Sequence, residues 1–595
     1  MVSLVLLSSV LLLVIQRVNA EPVVTVLNGT YEGFHLENYQ QDVFLGMPYA
    51  QPPVGDRRFK APESLNTTWQ TPRSAVEYAD ICMQYTAPPS YPMSEDCLSL
   101  NVIRPSDYNG TEALPVAVWI HGGGLYAGSS RETNLTNFVR QATAAQNPLI
   151  AVSINYRLSA FGFLWGSNEL TANGSANNGL RDQRLALSWI QENIAAFGGD
   201  PRKVTIFGQS AGDLSVGKHL IAYGGRDDGL FRGAIMQSGG MAEKWPYNIK
   251  DPVAYTEDLY RNITETTGCA DETSPLECLR SLPVESLSAA LNVSSTPVFS
   301  GTGLGPWLTQ VDGDFLQDGP SASLDKGHFV RVPITYSTTT DEATVFMSGG
   351  SIDTDDDFKA LVAAGGPDEI TVSKIEALYP RNTIGLPAGY TPSTEDTQFY
   401  GSQWKRGVMF HTDVVETTSR RMTLKAWATA GQKAYSARVN LLPPSTTARL
   451  GSHHCMDLNF IFANLDSSTS NQTQFATASK LMNGAWASFV SELDPNHHGG
   501  TFTWQDFPHR AFVSLNRRVA NRVNKFPMRQ IGPHGLEMSQ TGLGATEVTW
   551  SSMPTVTLRR SRFSSRTTIG SPRQTTWQAS WRVKCTTKGN GKDGH

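Results

Sequence analysis

Residues 204–215 read VTIFGQSAGDLS: a β-branched run climbs into Gly208, Ser210, Ala211 and Gly212, then passes into helix-forming sequence. A serine held between glycines where a strand becomes a helix describes a nucleophile elbow, a turn so tight that neighbouring side chains would clash. An ordinary strand-to-helix turn can use the same residues. A lone G-x-S-x-G also arises by chance in a chain with 52 glycines among 595 residues. The surrounding pattern has to decide.

That pattern alternates. LPVAVWIHGGG (114–124) and PLIAVSINYRL (148–158) each hold a short apolar run of the kind buried on both faces of a parallel sheet. Between Asn178 and Phe197 the period changes, and Ala186, Ile190, Ile194 and Phe197 form one helical stripe. KVTIF (203–207) is the next strand, and ASKLMNGAWASFVSEL (478–493) predicts a long amphipathic helix. Strand, helix and strand in succession predict a doubly wound α/β fold with a large, mostly parallel central sheet flanked by helices. With 39% hydrophobic and 17% charged residues the chain can bury a large core. Its net charge of −5 is small for this length, names no partner and gives no support for nucleic-acid binding.

The two ends differ from the middle. LVLLSSVLLLVI (4–15) is too short for a comfortable membrane span, and the small residues of VNA suit cleavage before Glu21. Residues 1–20 therefore read as a signal peptide, 21–526 as the catalytic domain, and the protein as secreted. Eight N-x-S/T sequons, from Asn28 to Asn471, suit a secreted glycoprotein. No later run offers eighteen uninterrupted apolar residues, so stable membrane insertion is not expected. From Ser551 onward nine Lys or Arg face one acid, Asp593, without periodicity, so 527–595 reads as a basic, disordered or atypical tail. Of six cysteines, Cys82 and Cys97, and Cys269 and Cys278, lie close enough to staple short loops in an oxidising compartment.

Acyl transfer needs a base to take the serine proton, a group to orient that base, and donors for the oxyanion. HGGG (His121–Gly124), after a strand and ahead of the elbow, is the candidate donor loop, together with the amide of Ala211. The base is a histidine downstream, and spacing alone leaves His219, His328, His411, His453, His454 and later ones open. GSHHCMDLNFIF (451–462) is the most suggestive setting, a turn-like start before an apolar run.

Several longer motifs narrow this. FLGMPYAQPPVGDRRFKAP (44–62), EDCLSLNV (95–102), NNGLRDQRLALSWIQENIAAFGGDP (177–201) and VTIFGQSAG (204–212) occur in order, and with them the chain, over residues 22–510, resembles the type-B carboxylesterases. These are the α/β-hydrolase branch that includes cholinesterases and fungal lipases. The resemblance implies the α/β-hydrolase fold, Ser210 as nucleophile, Glu342 of TTTDEATVF as acid, and His454, three residues before Asp457, as base. It also implies Gly123, Gly124 and Ala211 as oxyanion donors, disulfides 82–97 and 269–278, and no metal or organic cofactor. Where the family commonly has glycine, this chain has Ala343 and Cys455, the latter expected to be an inert buried thiol.

The implied activity is a serine carboxylesterase acting on a small-molecule ester through an acyl-enzyme, its rate falling as pH drops through roughly 6–7, where an imidazole takes a proton. The segment between Cys82 and Cys97, MQYTAPPSYPMSED, is short and proline-bearing, poorly suited to the helical lid of a triacylglycerol lipase. It lacks the tryptophan with which cholinesterases hold a quaternary ammonium, leaving Tyr85 and Tyr91 as weak substitutes. Trp307 and Phe410 are candidates for an acyl pocket or for plain core. Non-catalytic adhesion relatives of this fold typically lose the nucleophile, which this chain keeps.

Overall fold

In the computed structural model the described residues are 21–85, 91–106, 112–241, 251–294, 306–347, 352–381, 400–444, 446, 448–497 and 548–551. The signal-peptide reading of 1–20, and all of 527–595 except one strand, lie outside them.

The apolar runs form a ten-stranded sheet. Its strands in chain order are β1 (Phe34–Leu36), β2 (Gln41–Pro48), β3 (Ser99–Pro105), β4 (Leu114–Ile120) and β5 (Ile150–Ile154). They continue as β6 (Gly199–Gln209), β7 (Gly233–Gln237), β8 (Ile334–Thr339), β9 (Ala434–Asn440) and β10 (Val548–Ser551). The spatial order is β10-β9-β8-β7-β6-β4-β5-β3-β2-β1. From β10 to β5 every neighbouring pair is parallel, and β3, β2 and β1 add antiparallel pairs at the other edge. The mostly parallel sheet expected from the alternation is thus present. A small hairpin, Val23–Val26 with Gly29–Glu32, lies ahead of it.

Successive side chains of a strand point to opposite faces, so each central strand feeds two cores. Val116, Val118 and Ile120 of β4 pack into one cluster with Val204 and Ile206 of β6, while Ala117 and Trp119 pack into another with Phe207. The first cluster is closed by α1 (Asn178–Asn193) and α2 (Ala211–Ile221) through Ala186, Ile190, Leu214 and Leu220. Further along the chain come α3 (Trp404–Thr412) and α4 (Thr473–Glu492), the latter closing the second cluster with Met482, Trp486 and Phe489. The expected stripe holds: Ala186, Ile190, Ile194 and Phe197 are all buried, the last two on a 3-10 turn that extends α1. No helix among the described residues is long and apolar enough to cross a membrane.

Two buried ion pairs fasten the loops around the sheet. Arg58 reaches Glu95 through two nitrogens, at 2.6 and 2.7 Å, and donates to the carbonyls of Leu279, Arg280 and Leu282. Arg157 does the same to Asp182, at 2.8 and 2.6 Å. Disulfides join Cys82 to Cys97 and Cys269 to Cys278, with Cα atoms 5.0 and 5.6 Å apart.

Candidate active site

In an open parallel sheet the crevice outside the carboxyl ends of the strands gathers loops that are remote in sequence. The HGGG loop follows β4, Ser210 follows β6, Glu342 lies just past β8, and His454 lies on the segment after β9.

Ser210 sits at φ 58°, ψ −125°, between the end of β6 and the start of α2. Such a backbone costs a non-glycine residue on the order of 1–3 kcal/mol and persists only where its surroundings enforce it. The Ser210 N–H donates to Gln237 O at 2.9 Å, and its carbonyl accepts from Leu214 N at 2.9 Å. The flanking glycines are sterically required: a Cβ on Gly208 would lie 2.4 Å from Gly212 C, and one on Gly212 would lie 2.0 Å from Ile120 O. The tight turn inferred from VTIFGQSAG is therefore real.

The glycine loop closes over this turn. Gly123 has φ 108°, and a Cβ there would lie 2.1 Å from Ala127 O. A Cβ on Gly122 would be 3.1 Å from Ser210 Cβ, so loop and elbow are in direct contact. Among the described residues the amides of Gly123, Gly124 and Ala211 donate to no backbone carbonyl outside their own elements. His121 does not enter the site: its Nδ1 lies 2.8 Å from Gly122 O, its ring stacks on Tyr156, and burial pushes its pKa down to about 4.

His454 and Glu342, 112 residues apart, meet in the interior with Nδ1 2.6 Å from Oε2 and side chains 3% and 1% exposed. Burial alone would raise the Glu342 carboxyl. The hydrogen bond and charge of His454, with the Thr339 amide donating to Oε1, hold it below its ordinary value. The ring's other nitrogen, Nε2, points to the elbow, where it meets the side-chain amide of Gln209 at 3.0 Å. Ser210 Oγ forms no hydrogen bond to it. His453 turns aside and bonds the carbonyl of His454 through Nδ1 at 2.7 Å.

A clamp joins the acid and histidine segments. Asp341 N donates to Ser452 O at 2.9 Å, Ser452 N donates to Asp341 Oδ2 at 3.0 Å, and Thr344 Oγ1 donates to Leu450 O at 2.8 Å. Lys405 of α3 places Nζ 2.6 Å from Asp341 Oδ1, in a pair only 9% and 8% exposed. Burial pushes the Lys405 ammonium down, against the pull of Asp341. Nearby Asp457 is fully buried and accepts from Gln237 Nε2 at 3.1 Å, leaving Oδ1 without a partner among the described residues. Burial, and then the Glu342 charge, push the Asp457 carboxyl up to about 6.

The other histidines considered lie elsewhere. His219 is buried against Gln183, its pKa pushed down to about 3 first by burial and then by Arg184, and His328 stands near Asp318. Phe410 packs with Phe358 and Tyr379 in a separate cluster, and Trp307 is buried in the main core. The Tyr91 ring already carries the Arg131 guanidinium 4.1 Å from its centroid, which leaves that face closed to a ligand cation. Ala343 takes the place of glycine without a left-handed backbone, whereas Cys455 stands at φ 67°. Cys455 is buried, but no cysteine among the described residues is free, so the expected inert thiol is not what the fold contains. Reasoning from sequence missed Gln209, Asp341 with Lys405, and Asp457. Gln209 and Asp457 lay inside quoted motifs, but nothing in their spacing signals contacts that the fold creates.

Comparison with known proteins agrees with this architecture. Residues 20–529 match the carboxylesterase family model. The chain is 34% identical over 525 residues to Lipase 5 of Diutina rugosa, covering 82% of this chain and 90% of the relative. It is 32% identical to Secreted lipase 1 of Botryotinia fuckeliana, covering 82% and 86%. The crystal structure of Aspergillus niger EstA superposes with a TM-score of 0.70 at 31% identity, over 82% of this chain and 92% of that one. A match to the family over nearly the whole chain, on an α/β-hydrolase sheet, makes this protein a member of the carboxylesterase family and a carboxylic ester hydrolase.

Proposed function

We propose that the protein is a secreted serine carboxylesterase in which Ser210 is the nucleophile, His454 the general base and Glu342 the residue that orients it. The observation that carries this reading is the buried 2.6 Å contact between His454 Nδ1 and Glu342 Oε2, with Nε2 directed at the elbow. The acceptor-only carboxylate keeps the proton on Nδ1 and leaves Nε2 basic.

In the reaction Ser210 Oγ attacks the ester carbonyl carbon while its proton passes to His454 Nε2. The carbonyl electron pair moves to oxygen, which faces the amides of Gly123, Gly124 and Ala211; each such donor is worth on the order of 10²–10³ in rate. Collapse of the tetrahedral species breaks the bond to the alcohol oxygen, and His454 hands the proton to it. Water then repeats the sequence on the acyl-serine and releases the acid. Proton uptake by His454 removes the base, so the rate falls on the acid side.

The substrate reading is an ester of modest size, supported by the short, proline-bearing segment between Cys82 and Cys97, of which residues 86–90 lie outside the described set. The relatives named as secreted or triacylglycerol lipases favour the second reading, a lipase, and the secreted ones also support export. One assay addresses both. Wild-type protein should hydrolyse short-chain p-nitrophenyl esters with no jump at an emulsion interface, and Ser210→Ala should lose at least 10³-fold in kcat. Turnover surviving Ser210→Ala would defeat the reading, and a sharp rise at the interface would transfer it to the lipase.

A further inference from the structure

His454 Nε2 has one lone pair when Nδ1 carries the proton facing Glu342, and that lone pair is taken. The side-chain nitrogen of Gln209 lies 3.0 Å from it and donates. Gln209 is 1% exposed, and its Oε1 lies 3.4 Å from Cys455 Sγ. A Cβ on Gly122 would stand 3.2 Å from that same Oε1. The amide is therefore wedged between the glycine loop, the elbow and the histidine segment, with left-handed backbone at Ser210 and Cys455 on either side. Among the described residues Ser210 Oγ has no hydrogen-bond partner.

We propose that Gln209 is a positioning residue that holds His454 Nε2 in the resting enzyme and yields it to the Ser210 hydroxyl when an ester is bound. The proposal rests on the Ser210–His454–Glu342 reading and adds to it a second, competing donor for the base. A donor at Nε2 favours the neutral ring over the imidazolium, so Gln209 sets the pH at which the base is lost. The titratable groups around the ring are few. The segment after β8 brings Glu342 and Asp341, the latter paired with Lys405 of α3. The ring's own segment brings His453 and Asp457, and His121 of the glycine loop bonds Gly122 rather than the ring. The elbow brings the Gln209 amide and, on the first turn of α2, the buried carboxylate of Asp213, which accepts from Gly239 N at 2.7 Å.

The test is the acid limb of kcat/KM against pH for wild type, Gln209→Met and Gln209→Glu. Methionine keeps the length of the side chain and removes the donor, so the limb should move to higher pH by about 0.4–1 unit, the equivalent of one lost hydrogen bond. Glutamate puts an acceptor-only carboxylate against Nε2 and favours the imidazolium, so its limb should move further in the same direction, by more than about one unit. The methionine variant adds no charge to the interior and keeps the test open if the glutamate variant does not fold. Limbs that coincide with wild type, or folded variants that lose turnover equally at every pH, would overturn the proposal. Failure of the underlying reading has a different signature, ester hydrolysis that persists in Ser210→Ala.

Discussion

At the scale of single residues the site is a set of buried groups whose partners decide their charge. Asp457 is the clearest case, a carboxyl with one oxygen on Gln237 and the other without a partner among the described residues, pushed up to about 6 by burial and by Glu342. A carboxyl raised above its unfolded value holds its proton more tightly in the native state, so it costs stability as pH rises from about 4 through 6. Asp457→Asn keeps an acceptor for Gln237 and removes that cost. The variant should be more stable than wild type above pH 6, on the order of 1–3 kcal/mol, and the difference should vanish near pH 4. Denaturant melts at the two pH values check this, and an equal difference at both would contradict it. Ser210 was legible from sequence because steric demand writes glycine on both sides of it. His454 was not separable from His453 by spacing, since both sit in one turn and only the folded backbone sends one ring to Glu342 and the other to a carbonyl. Gln209 was silent for a similar reason: its partner is 245 residues away.

At the scale of elements, the triad segments are irregular and depend on the pieces that pin them. The loop after β8 is held to the loop before His454 by Asp341, and Asp341 is neutralised by Lys405 from α3. Removing one partner of a buried ion pair leaves the other charge uncompensated, at about 3–5 kcal/mol. Lys405→Met should therefore destabilise by about that amount in chemical denaturation, and the folded fraction should show a lower kcat because Glu342 is adjacent to the freed aspartate. A loss below about 1 kcal/mol would mean the clamp is not structural. The central strands β4, β5 and β6 and the helices α1 and α4 were readable because period and length announce them, β4 as an unbroken apolar run and α4 as an amphipathic one. The clamp was not readable: a lysine and an aspartate 64 residues apart look like two ordinary surface charges until the fold buries them.

At the scale of the whole molecule, the parallel sheet does the assembling. Its strand order places the ends of β4, β6, β8 and β9 along one edge, so the segments carrying Gly123, Ser210, Glu342 and His454 converge without any of them being close in sequence. The fold class followed from alternation, while the convergence followed only from the order of the strands, which alternation does not encode. Of the 527–595 region, Val548–Ser551 is described and pairs in parallel with β9. The central claim is that this arrangement makes one hydroxyl, that of Ser210, nucleophilic. The most direct measurement is the mass of the intact protein after a fluorophosphonate probe, followed by mapping of the adduct. The account predicts one adduct per chain, on the peptide containing Ser210, absent in Ser210→Ala and formed at least 10²-fold more slowly in His454→Ala. An adduct elsewhere, or equal labelling of the two variants and the wild type, would contradict it.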